Sequence, residues 1–276
     1  MSVAHGELGR SGAELAALLK GIRRESGLSG ARVAVRCAMS QSKISRIENG
    51  RVRPSLVDVE QIMRACGADS ERLAEVMVLA RRADTEWQSA RGLRRRGLDR
   101  KQRELAGLEA ASTEVRSLTI SVIAGLLSVP EYIRGGLADR PGDHTLVVRR
   151  KLDRQRVLGD PAKRFTFLLT EQAVRWPLAS PDVMARQIDH LASLTLLPNV
   201  RLGFLPIRAG RGPAPLNTFT VYDDRLATVE LSAGVMVFRD PRDVAAHREE
   251  FDLLAARALF GADARSFLAT CARAVR

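Results

Sequence analysis

The stretch from Ser40 to Pro54, SQSKISRIENGRVRP, constrains this chain more than any other. Ser40 can accept a hydrogen bond from a free amide one turn in and so predicts a helix start. Asn49-Gly50 predicts the stop, because both residues tolerate the left-handed backbone that ends helices. Pro54 then forbids continuation. Helical spacing turns Met39, Ile44 and Ile47 inward and leaves Gln41, Ser42, Lys43, Ser45, Arg46 and Asn49 outward. The outward set holds amides, hydroxyls and cations, with no carboxylate before Glu48. Such a face suits the edges of bases and the oxygens of phosphates.

Upstream, Leu15, Leu18, Leu19 and Ile22 recur at helical spacing and predict a first helix from Ser11 to Ser26, with Gly27 as its stop. Ser29 then caps a short second helix to Cys37 that buries Val33, Ala34 and Cys37. Ala38-Met39-Ser40 is long enough only for a tight turn. Two short helices joined by three residues, the second with a polar outer face, are the sequence form of a helix-turn-helix.

From Gly27-Leu28-Ser29 through Ile47-Glu48-Asn49-Gly50-Arg51-Val52-Arg53-Pro54 the chain closely resembles the Cro/CI-type (xenobiotic-response-element, XRE) helix-turn-helix regulators of the actinobacterial kind. The resemblance implies double-stranded DNA as a partner and a homodimer that acts as a repressor or activator. The expected DNA-binding set is Ser29, Arg32, Gln41, Ser42, Lys43, Ser45, Arg46, Asn49, Arg51 and Arg53. Gln41, Ser42 and Lys43, at the helix start, are expected at base edges, and Arg46, Asn49, Arg51 and Arg53 mostly on phosphates. Two departures stand out. Relatives carry Gly in the turn where this chain has Ala38, so a residue with a Cβ is asked to adopt a left-handed backbone at roughly 1 kcal/mol. They also carry an apolar residue where Gly30 stands, which weakens the second helix start.

At 276 residues, two domains are expected. No apolar run is long enough to cross a membrane, and no signal peptide is visible, so the reading is cytoplasmic and nucleoid-associated, with no membrane partner. The net charge of +12 points to an anionic partner. Only five of the basic residues are Lys, however, and an Arg excess beside abundant Ala fits codon bias equally well. Cys37, Cys66 and Cys271 lie far apart in apolar helical contexts and read as reduced core thiols.

Along the chain, Ser55 with Asp58 gives a capping-box-like start to a fourth helix with Leu56, Val59, Ile62 and Met63 as its buried stripe. A fifth helix from Ser70 to Arg82 buries Leu73, Val76, Met77 and Ala80. Residues 1–82 thus read as an all-α, five-helix DNA-binding domain, with residues 1–10 loosely packed. Residues 83–103 read as a basic linker, since Arg81 to Arg103 hold nine cations against three acids. Such a linker either lies along flanking phosphates or is simply solvated. Trp87 is expected to anchor it on the domain surface.

Residues 104–276 read as an α+β regulatory domain with a mainly antiparallel sheet. Helices are expected at 104–116, 146–158, 181–196, 240–254 and after Gly261. Strands are expected at 165–169, 200–205, 218–222, 226–231 and 235–239, with hairpin turns at Asp223-Asp224 and Ala233-Gly234. The Gly125-Leu126-Leu127 segment followed by Tyr132, the RFTFLLTEQA stretch at 164–173, Pro198-Asn199-Val200 and Phe238-Arg239-Asp240-Pro241 resemble the uncharacterised C-terminal domain that follows the helix-turn-helix in many actinobacterial developmental regulators. The resemblance implies a small protein encoded nearby as a further partner, and the domain is expected to sense such a protein or a ligand. Ser128 stands where those relatives carry Gln.

Catalytic patterns are sparse. His5, His144, His190 and His247 are scattered, and neither a nucleophile elbow nor a phosphate loop is present, so no cofactor, metal or enzymatic activity is expected. Ala209-Gly210-Arg211-Gly212-Pro213 leads into proline rather than a helix and reads as a mobile loop beside the sheet, or as a lid. Glu171 and Arg175 read as an exposed ion pair. The alternative function is an enzyme in the α+β domain localised by the helical module, which requires a cleft of convergent titratable groups.

Overall fold

The structure, a computed structural model, describes residues 4–84, 86–89, 92, 98–139, 141–207, 212 and 214–275. The chain divides into two compact units, residues 1–87 with 236–240, and residues 88–235 with 241–276.

The first unit holds α1 (Ala4–Glu25), α2 (Gly30–Arg36), α3 (Gln41–Glu48), α4 (Leu56–Ala65) and α5 (Ser70–Asp84). Leu19, Val33, Ile47, Val59 and Met63 are completely enclosed where the five helices meet. Burying side chains of this size contributes roughly 1.5 to 3 kcal/mol each, which fixes helices too short to stand alone. Gly27, Gly50 and Gly67 all have positive φ, and each follows a helix. Two boundaries differ from expectation. α1 begins at Ala4 rather than near Ser11, because a nucleated helix extends cheaply through residues with no proline. α5 runs on to Asp84 and takes Ala83 and Asp84 from the expected linker.

Much of the rest of that linker is also structured. β1 (Glu86–Ser89) lies where the two units divide, and α6 (Leu98–Ala111) begins before Glu104. Arg91, Arg94, Arg95, Arg96 and the Trp87 side chain lie outside the described part of the structure, as do Ala209, Gly210, Arg211 and Pro213 of the glycine-rich loop.

The second unit continues with β2 (Glu114–Thr119), a 3-10 turn at Gly125–Leu127, α7 (Pro130–Gly135), α8 (Thr145–Gln155), β3 (Arg164–Thr170), α9 (Glu171–Arg175) and α10 (Pro181–Leu194). β4 (Val200–Leu205), β5 (Thr218–Tyr222) and β6 (Leu226–Leu231) follow, then β7 (Gly234–Phe238), whose last three residues fall in the first unit, and α11 (Pro241–Ala255) and α12 (Gly261–Val275). Within the second unit the strands run in the order β6-β5-β2-β3-β4. β5 pairs antiparallel with β6 and β2, whereas β3 pairs parallel with β2 and β4, so the sheet is mixed. β2 corrects the expected helix from Glu104 to Arg116. The helix ends at Ala111, and Glu114 opens a strand hydrogen-bonded on both sides, Val115 facing Phe165 and Tyr222. Two ladders and a strand period of two override local helix propensity here.

Phe165, Phe167, Phe204, Leu191 and Leu268 form the main core of this unit between the sheet, α10 and α12. Asp223, at φ 54°, makes the β5–β6 turn. One of its carboxylate oxygens accepts from Thr113 N at 2.9 Å, Thr113 Oγ1 at 2.9 Å and Glu114 N at 2.8 Å, tying the turn to the start of β2. Burial pushes this carboxyl up, but the Glu114 and Thr113 bonds and Arg225 outweigh it and hold the pKa at about 2. Cys37, Cys66 and Cys271 are free thiols, each pushed up by burial. Glu171 and Arg175 pair at 2.6 Å, and Glu171 also accepts from Ile207 N at 3.0 Å.

Candidate nucleic-acid interface

The local sequence sets α3 in place at both ends. Ser40 accepts from Lys43 N at 3.2 Å as the N-cap. At the other end Gly50, φ 65°, lets Gly50 N and Arg51 N reach back to Ile47 O and Arg46 O at 2.9 and 2.8 Å, satisfying carbonyls that a helix end leaves open. Ser29 caps α2 by accepting from Arg32 N at 3.3 Å. Between the two helices Ala38 takes φ 52°, the left-handed conformation that the missing glycine implies.

Ile44 and Ile47 are 1% and 0% exposed, so the inward stripe of α3 is fully committed to the core. Gln41, Ser42, Ser45, Arg46 and Asn49 are exposed along the opposite face. Within that face Arg46 Nε donates to Ser42 O at 3.2 Å, Asn49 Nδ2 donates to Ser45 O at 2.8 Å, and Lys20 reaches Asn49 Oδ1 at 3.3 Å. Ser42 shares a 3.0 Å hydroxyl contact with Ser40. Ser29 and Arg32 are exposed at the start of α2, which packs on α3, and Arg51 and Arg53 are exposed in the loop after α3.

Two acidic residues that could spoil this face are drawn away from it. Glu48 holds Arg23 in a bidentate pair of 2.6 and 2.8 Å, its side chain only 8% exposed. Arg23 also donates to Leu28 O at 3.0 Å, so one guanidinium joins α1, α3 and the approach to α2. The Glu48 bond is the main reason the Arg23 pKa is raised. Asp58 caps α4 reciprocally with Ser55: its Oδ2 accepts from Ser55 N at 3.0 Å, while Ser55 Oγ accepts from Asp58 N at 3.1 Å. Its Oδ1 accepts from Lys43 Nζ at 2.7 Å. Burial pushes the Asp58 carboxyl up, but Lys43 and Ser55 hold it below the usual carboxylate range.

Sequence reasoning found the capping box but not this second use of Asp58, which takes Lys43 out of the uncommitted set. Nothing local signals the pairing, because residues 43 and 58 meet only when α3 and α4 fold together. Lys20 was likewise missed, being read only as part of α1. Among the described residues no helix is long and apolar enough to cross a membrane, and no cluster of three or more metal-ligating residues occurs.

Comparison with known proteins finds two family models that match separate parts of the chain. A family model described as "Helix-turn-helix domain" matches residues 14–76, which hold the second half of α1, α2 to α4 and part of α5. A second, described as "Domain of unknown function (DUF5753)", matches residues 102–270. No curated protein matches. Among solved structures, Nuc, a phospholipase D family member from Salmonella typhimurium, aligns at 9% identity over 58% of this chain and 90% of that one, with a TM-score of 0.35. TrmBL2, an archaeal chromatin protein, aligns at 12% identity over 64% and 53%, with a TM-score of 0.32. Neither likeness is close enough to bear on fold or activity. The chain belongs to the family described as domain of unknown function DUF5753, and it carries a helix-turn-helix DNA-binding domain ahead of that region.

Proposed function

We propose that this protein is a sequence-specific transcriptional regulator of the Cro/CI kind that inserts α3 into the major groove of double-stranded DNA as a homodimer. The observation that carries the reading is the composition of the exposed α3 face: amides, hydroxyls and a guanidinium, with Glu48 turned inward onto Arg23. A groove of phosphates repels a carboxylate, so removing the one acid of the helix from the face favours approach. Gln41 and Ser42 at the start of α3 take base edges, and Arg32, Arg46, Asn49, Arg51 and Arg53 hold phosphates, with Ser29 and Ser45 adding hydroxyl contacts. Lys43 is the exception: with its ammonium on Asp58, its first role is to set the angle between α3 and α4. The DUF5753 region serves as the sensor of a small protein or ligand signal.

Footprinting and gel shifts over the protein's own promoter region test this. A palindrome with half-sites about 34 Å apart, one helical turn, is the expected product. Gln41→Ala changes the preferred sequence by about 1 to 3 kcal/mol, while Arg51→Ala weakens all DNA alike and lowers the salt slope by about one. Equal losses for both variants on every sequence, or no protected site at moderate salt, contradict the reading.

A further inference from the structure

Strands β2, β5 and β6 share a pattern that DNA binding does not use. Ser117 and Thr119 flank Leu118, Thr218 and Thr220 flank Phe219, and Thr228 lies between Ala227 and Val229. A period of two sends the hydroxyls and the apolar groups to opposite faces. The registers place Ser117 opposite Thr220 and Thr220 opposite Thr228, so the hydroxyls form a row across three strands. The apolar set packs on α11, where Phe219 meets Phe251 edge-on at 6.4 Å between ring centroids. An antiparallel region so patterned ordinarily turns its polar face to water.

Here the polar face is roofed instead. Ser117, Thr119 and Thr228 are 6%, 6% and 8% exposed. α6, α8 and the 3-10 turn partly cover a cavity of about 390 Å³ above them, within the size range of small-molecule sites.

Four of the five charged side chains lining this cavity pair with one another, the fifth being Lys151. Arg154 and Glu109 form a buried pair, with Arg154 Nε donating to Glu109 Oε2 at 3.0 Å, and Lys101 reaches Glu230 at 3.3 Å. Ile123, Leu126 and Phe167 supply an apolar wall. The hydroxyls, by contrast, have capacity to spare. Ser117 and Thr220 share a single 3.0 Å bond, and Thr119 Oγ1 is buried with no hydrogen-bond partner. Each hydroxyl can donate once and accept twice, and a buried one with nothing to bind is rare in a native protein.

We propose that this cavity binds an uncharged small organic molecule with several hydroxyl or carbonyl groups and one apolar face, the chemistry of a neutral sugar or nucleoside, and that Thr119 bonds it directly. The proposal rests on the sensing role given above to the DUF5753 region and names the site and ligand class.

The test is thermal unfolding and titration calorimetry of the full chain with glucose, sucrose, adenosine and uridine at millimolar concentration. Glucose 6-phosphate and AMP serve as charged counterparts. At least one neutral probe should raise the unfolding temperature, its phosphorylated counterpart should not, and which probe acts separates sugar from nucleoside. Thr119→Val, nearly isosteric, should fold as stably as the parent and bind the probe about tenfold more weakly, as expected for one lost buried hydrogen bond. Thr220→Val is a second, independent variant: it also unpairs Ser117 and so lowers stability somewhat, and it should bind the probe more weakly by a similar factor. If no neutral probe shifts unfolding, if the charged compounds bind better, or if both variants bind like the parent, the assignment is overturned, while a protected DNA site would still uphold the DNA-binding reading. Probe binding that leaves operator affinity unchanged upholds the cavity and overturns its part in sensing.

Discussion

Replacing Asp58 by Ala removes two bonds at once and separates the structural use of Lys43 from any direct use on DNA. Asp58 is 8% exposed and bridges Ser55 N, at 3.0 Å, and Lys43 Nζ, at 2.7 Å. Losing the reciprocal cap costs about 1 kcal/mol. The charge-assisted bond to Lys43 is worth about 1.5 to 3 kcal/mol when enclosed. The Lys43 side chain is 37% exposed and regains water when released, which trims this to about 1 to 2. Asp58→Ala should therefore destabilise the helical unit by about 2 to 3 kcal/mol, Lys43→Met by about 1 to 2, and the double variant by about 1 less than their sum. Urea unfolding of the full chain, followed by circular dichroism and resolved into its two transitions, measures each value. The sign of the pH effect follows from the depressed Asp58 carboxyl. The contribution is complete above the unfolded value near pH 4, at about 3.9, and is lost as pH falls through the lower folded value. Strictly additive effects would refute the pairing. So would a Lys43→Met variant of unchanged stability that nonetheless loses the preferred operator sequence.

Three further outcomes follow from the packing. Ala38→Gly should stabilise by about 0.5 to 1 kcal/mol, since relief of a left-handed alanine exceeds the extra freedom glycine gives the unfolded chain; a lowered urea midpoint would count against it. Ile47→Ala, at 0% exposure, should cost about 2 to 5 kcal/mol and abolish DNA binding only through unfolding, so stabilising osmolyte should restore binding in a gel shift. With its carboxyl at about pKa 2, Asp223 contributes stability that is intact above about pH 4 and lost as pH falls toward 2. Asp223→Ala should flatten that part of the acid-unfolding curve of the second unit, and an unchanged curve would show that the turn does not depend on this carboxylate.

The helical unit was legible in the sequence because its signals are local. Ser29, Ser40 and Ser55 cap helices where a serine precedes a helical stripe, and Gly50 and Ala38 take the left-handed backbone at the expected places. The β5 and β6 strands were legible for the same reason, each being bounded by turn residues. β2 was not. Its six residues have little strand signal alone and become a strand because β3 and β5 arrive on either side. Within the candidate interface the exposed face of α3 was readable from helical period, whereas the withdrawal of Lys43 to Asp58 depends on a partner fifteen residues away on another helix. The alternating threonines at 218, 220 and 228 were in plain view. Only α6 and α8, which stand over them, distinguish an ordinary wet sheet face from a partly covered cleft.

The central position of β2 also sets an order of events during synthesis. Its Ser117 bonds Thr220, 103 residues further along, so this strand leaves the ribosome long before one of its two neighbours exists. Contacts of such separation close late and slowly. The helices of residues 4–84 draw on partners made within the same short span and can collapse while the later strands are still being translated. A nascent protein therefore has a folded helical unit for a period in which the β2 edge stands open, and that interval is when a chaperone or a second strand-bearing chain has its best chance to engage it.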